Sequence, residues 1–335
     1  MKAALVEQYN KKNISVRLAN LDKPTIGRKE VLIKILAAGV NPLDNMISRG
    51  EVKMIVPYKL PAVAGNEFVG IVEQVGTEVS KYNVNDRVFA RLPLEKIGAF
   101  AEFVSADEDA LAKVPDYLSD IEAAAVPLTA LTIMQALDIM KAESEKTIFI
   151  SGGTGSVGAM AIPIAIAKGL KVITNGSADN KERVLELGVS RFIDYKTEDY
   201  TEVLSNVDYV LDTLGGNETE RQMTILKKGG KLVSLRAMPN GAFAKRMKLP
   251  KWKQILFGIV GHKFDKLAAK YGVTYDFIFV ESNGKQLQEV ADIFENLKIK
   301  PSIDTVYKFE EVNRALDKVA NGHSKGKTVI VMERK

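Results

Sequence analysis

The run Ser151-Gly152-Gly153-Thr154-Gly155-Ser156-Val157-Gly158 follows the short apolar segment TIFI and opens a longer apolar stretch. Gly153, Gly155 and Gly158 satisfy the spacing G-x-G-x-x-G. Between a strand and a helix, that spacing grips a pyrophosphate. One glycine makes a tight turn, one lets backbone approach the phosphates, and one lets helix pack on strand. The N–H groups of Thr154, Ser156 and Val157 and the helix dipole behind them supply positive potential. An acid about 20 residues on usually receives the ribose hydroxyls of NAD. Here the second strand ends on Thr174, Asn175 and Gly176 with no acid, Ser177, Lys181 and Arg183 follow, and Tyr195 ends the third strand. Missing repulsion and available donors favour a 2′-phosphate, hence NADPH. The alternative is that Lys181 and Arg183 form a solvated helix face.

Other chemistries are limited by residue supply. The chain has no cysteine and two histidines, His262 and His323. Disulfides, thiolate nucleophiles and cysteine-bearing zinc sites are excluded, an all-protein catalytic zinc is not expected, and neither histidine lies near a nucleophile-elbow pattern.

The elements that must position the glycine loop follow from patterning. Up to about residue 120 the chain reads as short strands at 2–8, 30–37, 67–75, 87–91 and 99–105, interrupted by glycines, as in an irregular β-barrel. From Ile121 a helical, alanine-rich stretch leads into strands at 147–150, 171–174, 191–194, 207–212, 231–235 and 276–280. Helices are predicted between them, including 180–188 and 217–230, the latter capped by its glycines. That alternation predicts an α/β doubly wound parallel sheet. Amphipathic helices at 285–297 and 309–320 and a strand at 327–332 return the chain to its first domain. The predicted division is 1–123 plus 281–335 against 124–280. Pro163 lies inside the helix after the glycine loop and predicts a kink or an early break.

Taken together, GVNPLD (39–44), GNEFVGIVEQVG (65–76), VNDRVFA (84–90), GAFAEF (98–103), AAAVPLTALTIMQAL (123–137), the glycine loop and GKTVIVM (326–332) resemble the zinc-free quinone oxidoreductases and enone reductases of the medium-chain dehydrogenase/reductase superfamily. The resemblance implies a discontinuous GroES-like β-barrel domain, a Rossmann domain, and an active site in the cleft between them. It also implies a homodimer. Where zinc-dependent relatives carry Gly-His-Glu, this chain has Gly65-Asn66-Glu67. Asn41 falls at the nicotinamide end of the implied cleft, where its amide can donate to an acceptor carbonyl or satisfy the turn before Pro42. Thr129 matches a position beside the nicotinamide ring, and an N-cap or mid-helix hydroxyl is its other reading. Leu214 and Gly215 match the turn along the cofactor ribose, and Lys325 and Lys327 either approach the cofactor phosphate or, the favoured reading, belong to a solvated turn. Tyr58 and Arg49 are the nearest candidate proton donors, Lys53 is a third, and water is the alternative to all of them.

The expected activity is NADPH-dependent reduction of quinones or of the C=C bond of enones, with enoyl-thioester reduction as a variant. The other class of function is a non-catalytic module that senses NADPH or binds RNA. The net charge of +5 is local: residues 241–266 hold seven basic side chains against Asp265 alone. This segment reads as a solvated helix, a substrate lid, a subunit contact, or a surface for RNA or acidic membrane; no DNA-reading motif is present. Early charges and the lack of a long apolar run lead to the expectation of a soluble, cytoplasmic protein.

Overall fold

A computed structural model describes residues 1–12, 14–322 and 324–333, so His323 lies outside the described residues. The chain divides into two compact units, Met1–Leu131 with Glu281–Lys335, and Thr132–Val280.

The first unit opens with β1 (Lys2–Val6), β2 (Arg17–Asn20), β3 (Glu30–Val40), α1 (Pro42–Arg49) and β4 (Ala62–Val63). It continues with β5 (Glu67–Val75), β6 (Arg87–Arg91), β7 (Phe103–Asp107), β8 (Leu111–Lys113) and α2 (Asp120–Ala124). The predicted strand at 99–105 starts later, because residues 99–101 meet β1 only through the bridge Ala3–Ala101. The predicted division after 123 falls at 131 instead, since α2 packs on β3 and β5 and Leu128 N–H donates to Glu67. α3 (Pro127–Met140) runs across the division.

The second unit holds β9 (Thr147–Ile150), α4 (Ser156–Ala167), β10 (Lys171–Gly176), α5 (Lys181–Glu186), β11 (Arg191–Asp194), α6 (Tyr200–Val203) and β12 (Val207–Asp212). α7 (Asn217–Thr224), β13 (Leu226–Ser234), α8 (Gly241–Arg246), α9 (Lys251–Tyr271) and β14 (Thr274–Phe277) complete it. All six strands are parallel in the order β11-β10-β9-β12-β13-β14. Strand order reverses between β9 and β12, which is where such sheets open a ligand crevice at their carboxyl ends. Phe149, Ile193, Val210 and Leu232 join Tyr200, Phe264 and Tyr275 in its core.

Two local predictions are corrected. The helix expected at 217–230 stops at Thr224, and its glycines belong to β13. The pairing of β12 with β13 jumps from Val207–Leu226 to Tyr209–Lys231, so Lys228 and Gly229 bulge outward and Gly229 takes φ +77°. Pro163 does not break α4, which continues to Ala167 with every residue from Met160 to Ala165 buried.

The chain returns to the first unit through α10 (Gly284–Leu297), β15 (Ile303–Lys308), α11 (Val312–Asn321) and β16 (Lys327–Val331). The larger sheet of that unit runs β15-β16-β3-β5-β6-β8, with β7 also on β3. Its core gathers Ile33, Phe68, Val88, Phe100, Leu316 and Ile330.

Candidate functional site

In the second unit, β9 delivers the chain to the glycine loop at the strand-order reversal. Gly152 takes φ +67° and makes the turn, one residue before the G-x-G-x-x-G spacing begins. Gly153 instead presses on β10, where a Cβ would lie 2.1 Å from Thr174 Oγ1. Gly158 seats α4, since its Cβ would lie 2.3 Å from Gly153 Cα. Gly155 has an ordinary extended backbone, and its Cβ would meet only Gly152 O at 3.4 Å. Gly155 caps α4 without a side chain, so first-turn N–H groups at Ser156 and Val157 stay available to a phosphate. This cradle fits a dinucleotide pyrophosphate.

The predicted contacts around the loop divide into struts and exposed groups. Buried Asn175 accepts from Gly152 N–H through Oδ1 (2.8 Å) and from Gly153 N–H through its carbonyl (3.0 Å). Arg183 donates to the Thr154 carbonyl (2.8 Å), which makes it a support of the loop. Tyr195 N–H donates to Gly176 O (3.3 Å), bringing the ends of β10 and β11 together. Tyr195, Leu214 and Lys181 are exposed, and Ser177 is half-buried. The Ser177 hydroxyl donates to Asp179 (2.9 Å), an acid three residues past the end of β10.

Asp212, at the end of β12, was missed by sequence reasoning. Its buried carboxylate accepts from Leu214 N–H (3.0 Å), Gly215 N–H (2.9 Å), Thr219 Oγ1 (2.7 Å), Gln222 Nε2 (3.2 Å) and Ser234 Oγ (2.7 Å). It therefore fixes the Leu214-Gly215 turn, where Gly215 and Gly216 both have positive φ. The available signal was an acid ending a strand directly before a Gly-Gly turn.

The first unit carries a separate buried polar network. Strands β16, β3 and β5 lie side by side, with Val329 and Glu67 both opposite Gly39. Gly39 is required there: a Cβ would lie 2.3 Å from Glu67 Oε1. Glu67 Oε1 accepts from Lys327 Nζ (2.5 Å) and Asn41 Nδ2 (2.7 Å), and Oε2 accepts from Leu128 N–H (2.7 Å). Lys327 also donates to Asn41 Oδ1 (2.6 Å) and, over 3.5 Å, to Thr129 Oγ1. Lys327 is thus part of the buried network, which corrects the expectation of a solvated or phosphate-facing turn residue. Asn41 is only 3% exposed with both amide atoms engaged, so its amide is not free to donate outward. Among the described residues Thr129, in the first turn of α3, accepts through Oγ1 and shows no acceptor for its own hydroxyl hydrogen. Lys325 is exposed, and its N–H donates to Asp304.

Asp44 closes the capping turn of α1 by accepting from Asn41 N–H (2.7 Å), and it accepts from Asn66 Nδ2 (2.6 Å). Burial pushes its carboxyl up to about 7 against the opposing pull of those two hydrogen bonds. An unfolded aspartate titrates near ~4. The folded chain therefore keeps a proton that the unfolded chain has released. The resulting stability is fully present below about pH 4 and lost as pH rises through about 7, by at most ~1.4 kcal/mol per unit. Urea unfolding across that window should show wild-type stability falling relative to Asp44→Asn; parallel slopes would discard the assignment.

Arg91, opposite Glu67 on β6, is fully buried; its Nη1 donates to Leu92 O, while among the described residues Nε and Nη2 have no partner. Burial lowers its guanidinium to about 10, opposed by the negative potential of Tyr58, Glu67 and other acids. Of the candidate proton donors, the Tyr58 hydroxyl is buried without a partner among the described residues and is held above its ordinary range by burial. Arg49 faces Glu51 at 3.9 Å, and Lys53 is exposed.

The fold and the glycine cradle define a two-unit, dinucleotide-binding protein. Residues 27–116 match the alcohol dehydrogenase GroES-like domain family, and residues 187–330 match the zinc-binding dehydrogenase family. The chain is 30% identical to NAD(P)H oxidoreductase RTN4IP1, mitochondrial, of Danio rerio, covering 99% of this chain and 92% of that protein. It is 27% identical to the NADPH-dependent alkenal/one oxidoreductase, chloroplastic, of Arabidopsis thaliana, covering 98% and 79%. The quinone oxidoreductase from Coxiella burnetii superposes with a TM-score of 0.82 at 26% identity over 99% of each chain. The chain belongs to the quinone oxidoreductase and enone reductase branch of the medium-chain dehydrogenase/reductase superfamily.

The family name raises the question of zinc, and the donor set does not suit one. The chain has no cysteine, Asn66 turns its amide to Asp44, and Glu67 is held by an ammonium and two N–H groups. Among the described residues no three His, Cys, Asp or Glu side chains converge on a common point.

Proposed function

We propose that this oxidoreductase uses NADPH, without zinc, to reduce quinones or the C=C bond of α,β-unsaturated carbonyls. The observation that carries the reading is the Glu67 environment, in which Lys327 and Asn41 occupy the carboxylate that a metal would otherwise need. The substrate class rests on the likeness to the alkenal/one and quinone oxidoreductases above. Bound NADPH supplies the hydride. The glycine loop, braced by Asn175 and Arg183, holds the pyrophosphate, and Lys181 and Tyr195 are the exposed donors for a 2′-phosphate. Asp179 beside Ser177 works against that preference and makes NADH the necessary comparison.

Within the first unit, Thr129 is the group we assign to the acceptor oxygen. Lys327 Nζ lies 3.5 Å from Thr129 Oγ1 and polarises the hydroxyl, and the role we assign to its proton is donation to the acceptor oxygen as negative charge develops. Asn41 acts by holding Lys327 in place, a positioning role. The test is oxidation of NADPH and NADH by chelator-treated protein offered a small enone and a benzoquinone separately. Turnover with NADPH preferred is expected, and Thr129→Val should lose roughly 10²-fold in kcat with cofactor affinity unchanged, while Thr129→Ser recovers it. Equal turnover in Thr129→Val would remove that assignment. Tight NADPH binding without turnover would remove the reaction itself.

A further inference from the structure

α9 is apolar on two opposite sides. Its inner side, Phe257, Gly261, Phe264 and Ala268, is buried: Phe257 meets Phe243 edge-on and Phe264 stacks on Tyr275. Gly261 brings the helix down onto Asn240, where a Cβ would lie 2.5 Å from Asn240 Cβ. The helix is therefore pinned along one side. The side facing away carries Trp252, Ile255, Leu256, Ile259 and Val260, spaced i, i+3, i+4, i+7, i+8, with Ile255 66% and Ile259 70% exposed. A helix anchored by one apolar stripe normally shows water a polar one, so this second stripe requires a covering partner.

Charge identifies the partner. Lys251 and Lys253 stand at the start of the stripe, and His262, Lys263, Lys266 and Lys270 continue its line toward the C-terminus, all exposed except the half-buried Lys253. Among the described residues Lys251, Lys253, Lys263 and Lys266 form no ion pair, and Asp265, the one acid of the helix, already accepts from Asn240 (2.7 Å). A second copy crossing on the same stripe would set these lysines against their own like. A surface that is apolar beneath and anionic above satisfies both halves. We propose that the outer face of α9 docks on an anionic lipid bilayer, with Trp252, Ile255 and Ile259 in the acyl boundary and the lysines among the phosphates.

The reporter is built in, because Trp252 is the only tryptophan of the chain. Full-length protein would be mixed with phosphatidylcholine vesicles, with or without phosphatidylserine, while Trp252 emission and co-sedimentation are followed. Expected are a blue shift and at least ~10-fold more sedimented protein with phosphatidylserine, falling as salt is raised. Ile255→Glu with Ile259→Glu should abolish both signals, and Lys263→Glu with Lys266→Glu should weaken them, each variant keeping wild-type circular dichroism and reductase turnover. Absence of binding to either vesicle overturns the proposal. So does a lipid-independent, concentration-dependent blue shift accompanied by dimer formation, which would assign the stripe to a second copy. Salt-sensitive capture of a polyuridine RNA with no vesicle binding would overturn it in favour of nucleic acid.

Discussion

Replacing Lys327 with methionine is expected to lower the unfolding free energy by about 3–5 kcal/mol and to abolish turnover. The methionine fills a similar volume but leaves Glu67 buried against Asn41 and Leu128 without its counter-charge. The cost comes from that orphaned carboxylate and not from the lost attraction, since a paired buried ion gains little over an apolar pair. Glu67→Gln combined with Lys327→Met should therefore recover most of the stability. It should not recover the reaction, because Thr129 would still lack the ammonium behind its hydroxyl. Urea unfolding of the two single variants and the double gives the coupling directly. Additive losses would mean that Lys327 and Glu67 do not act as a pair.

How much of this could be read from the chain depends on how local each feature is. The glycine loop was legible because its spacing is set within eight residues, and the flanking strand and helix declare themselves by their own periodicity. The division of labour inside it was not. Gly152 turns and Gly153 packs because Thr174 on the neighbouring strand is where it is, which is a matter of strand register. Nothing beside Lys327 in the sequence marks it as buried: read locally, it belongs to a solvated turn or to a cofactor phosphate. Its partners lie 286 and 198 positions away at Asn41 and Thr129, and only the β16-β3-β5 order brings them together. The same blindness hid the donors that converge on Asp212 from three elements. The basic segment was legible as charge, but its two-sided apolar character appears only once the inner side of α9 is identified by what it packs against.

Two alanine substitutions in the glycine loop should separate its structural from its binding role. At Gly158 a methyl group would stand 2.3 Å from Gly153 Cα and 2.7 Å from Gly152 O, both backbone atoms that cannot rotate aside. The loop is held on its other flank by Asn175, so it cannot retreat freely. Gly158→Ala is expected to lose ~1–3 kcal/mol of stability by overpacking and to weaken cofactor binding about 100-fold, equivalent to ~2.7 kcal/mol. At Gly155 the backbone conformation suits any residue, and a Cβ meets only Gly152 O at 3.4 Å. Gly155→Ala should therefore unfold at the wild-type denaturant midpoint. Its methyl group nevertheless enters the space above the first turn of α4, where the pyrophosphate must approach backbone N–H groups. Cofactor affinity should then fall by about tenfold or more with no change in stability. Titration of cofactor fluorescence alongside urea unfolding distinguishes the two cases. Wild-type affinity in Gly155→Ala would show that the phosphates lie elsewhere, and would withdraw the cradle on which the cofactor assignment rests.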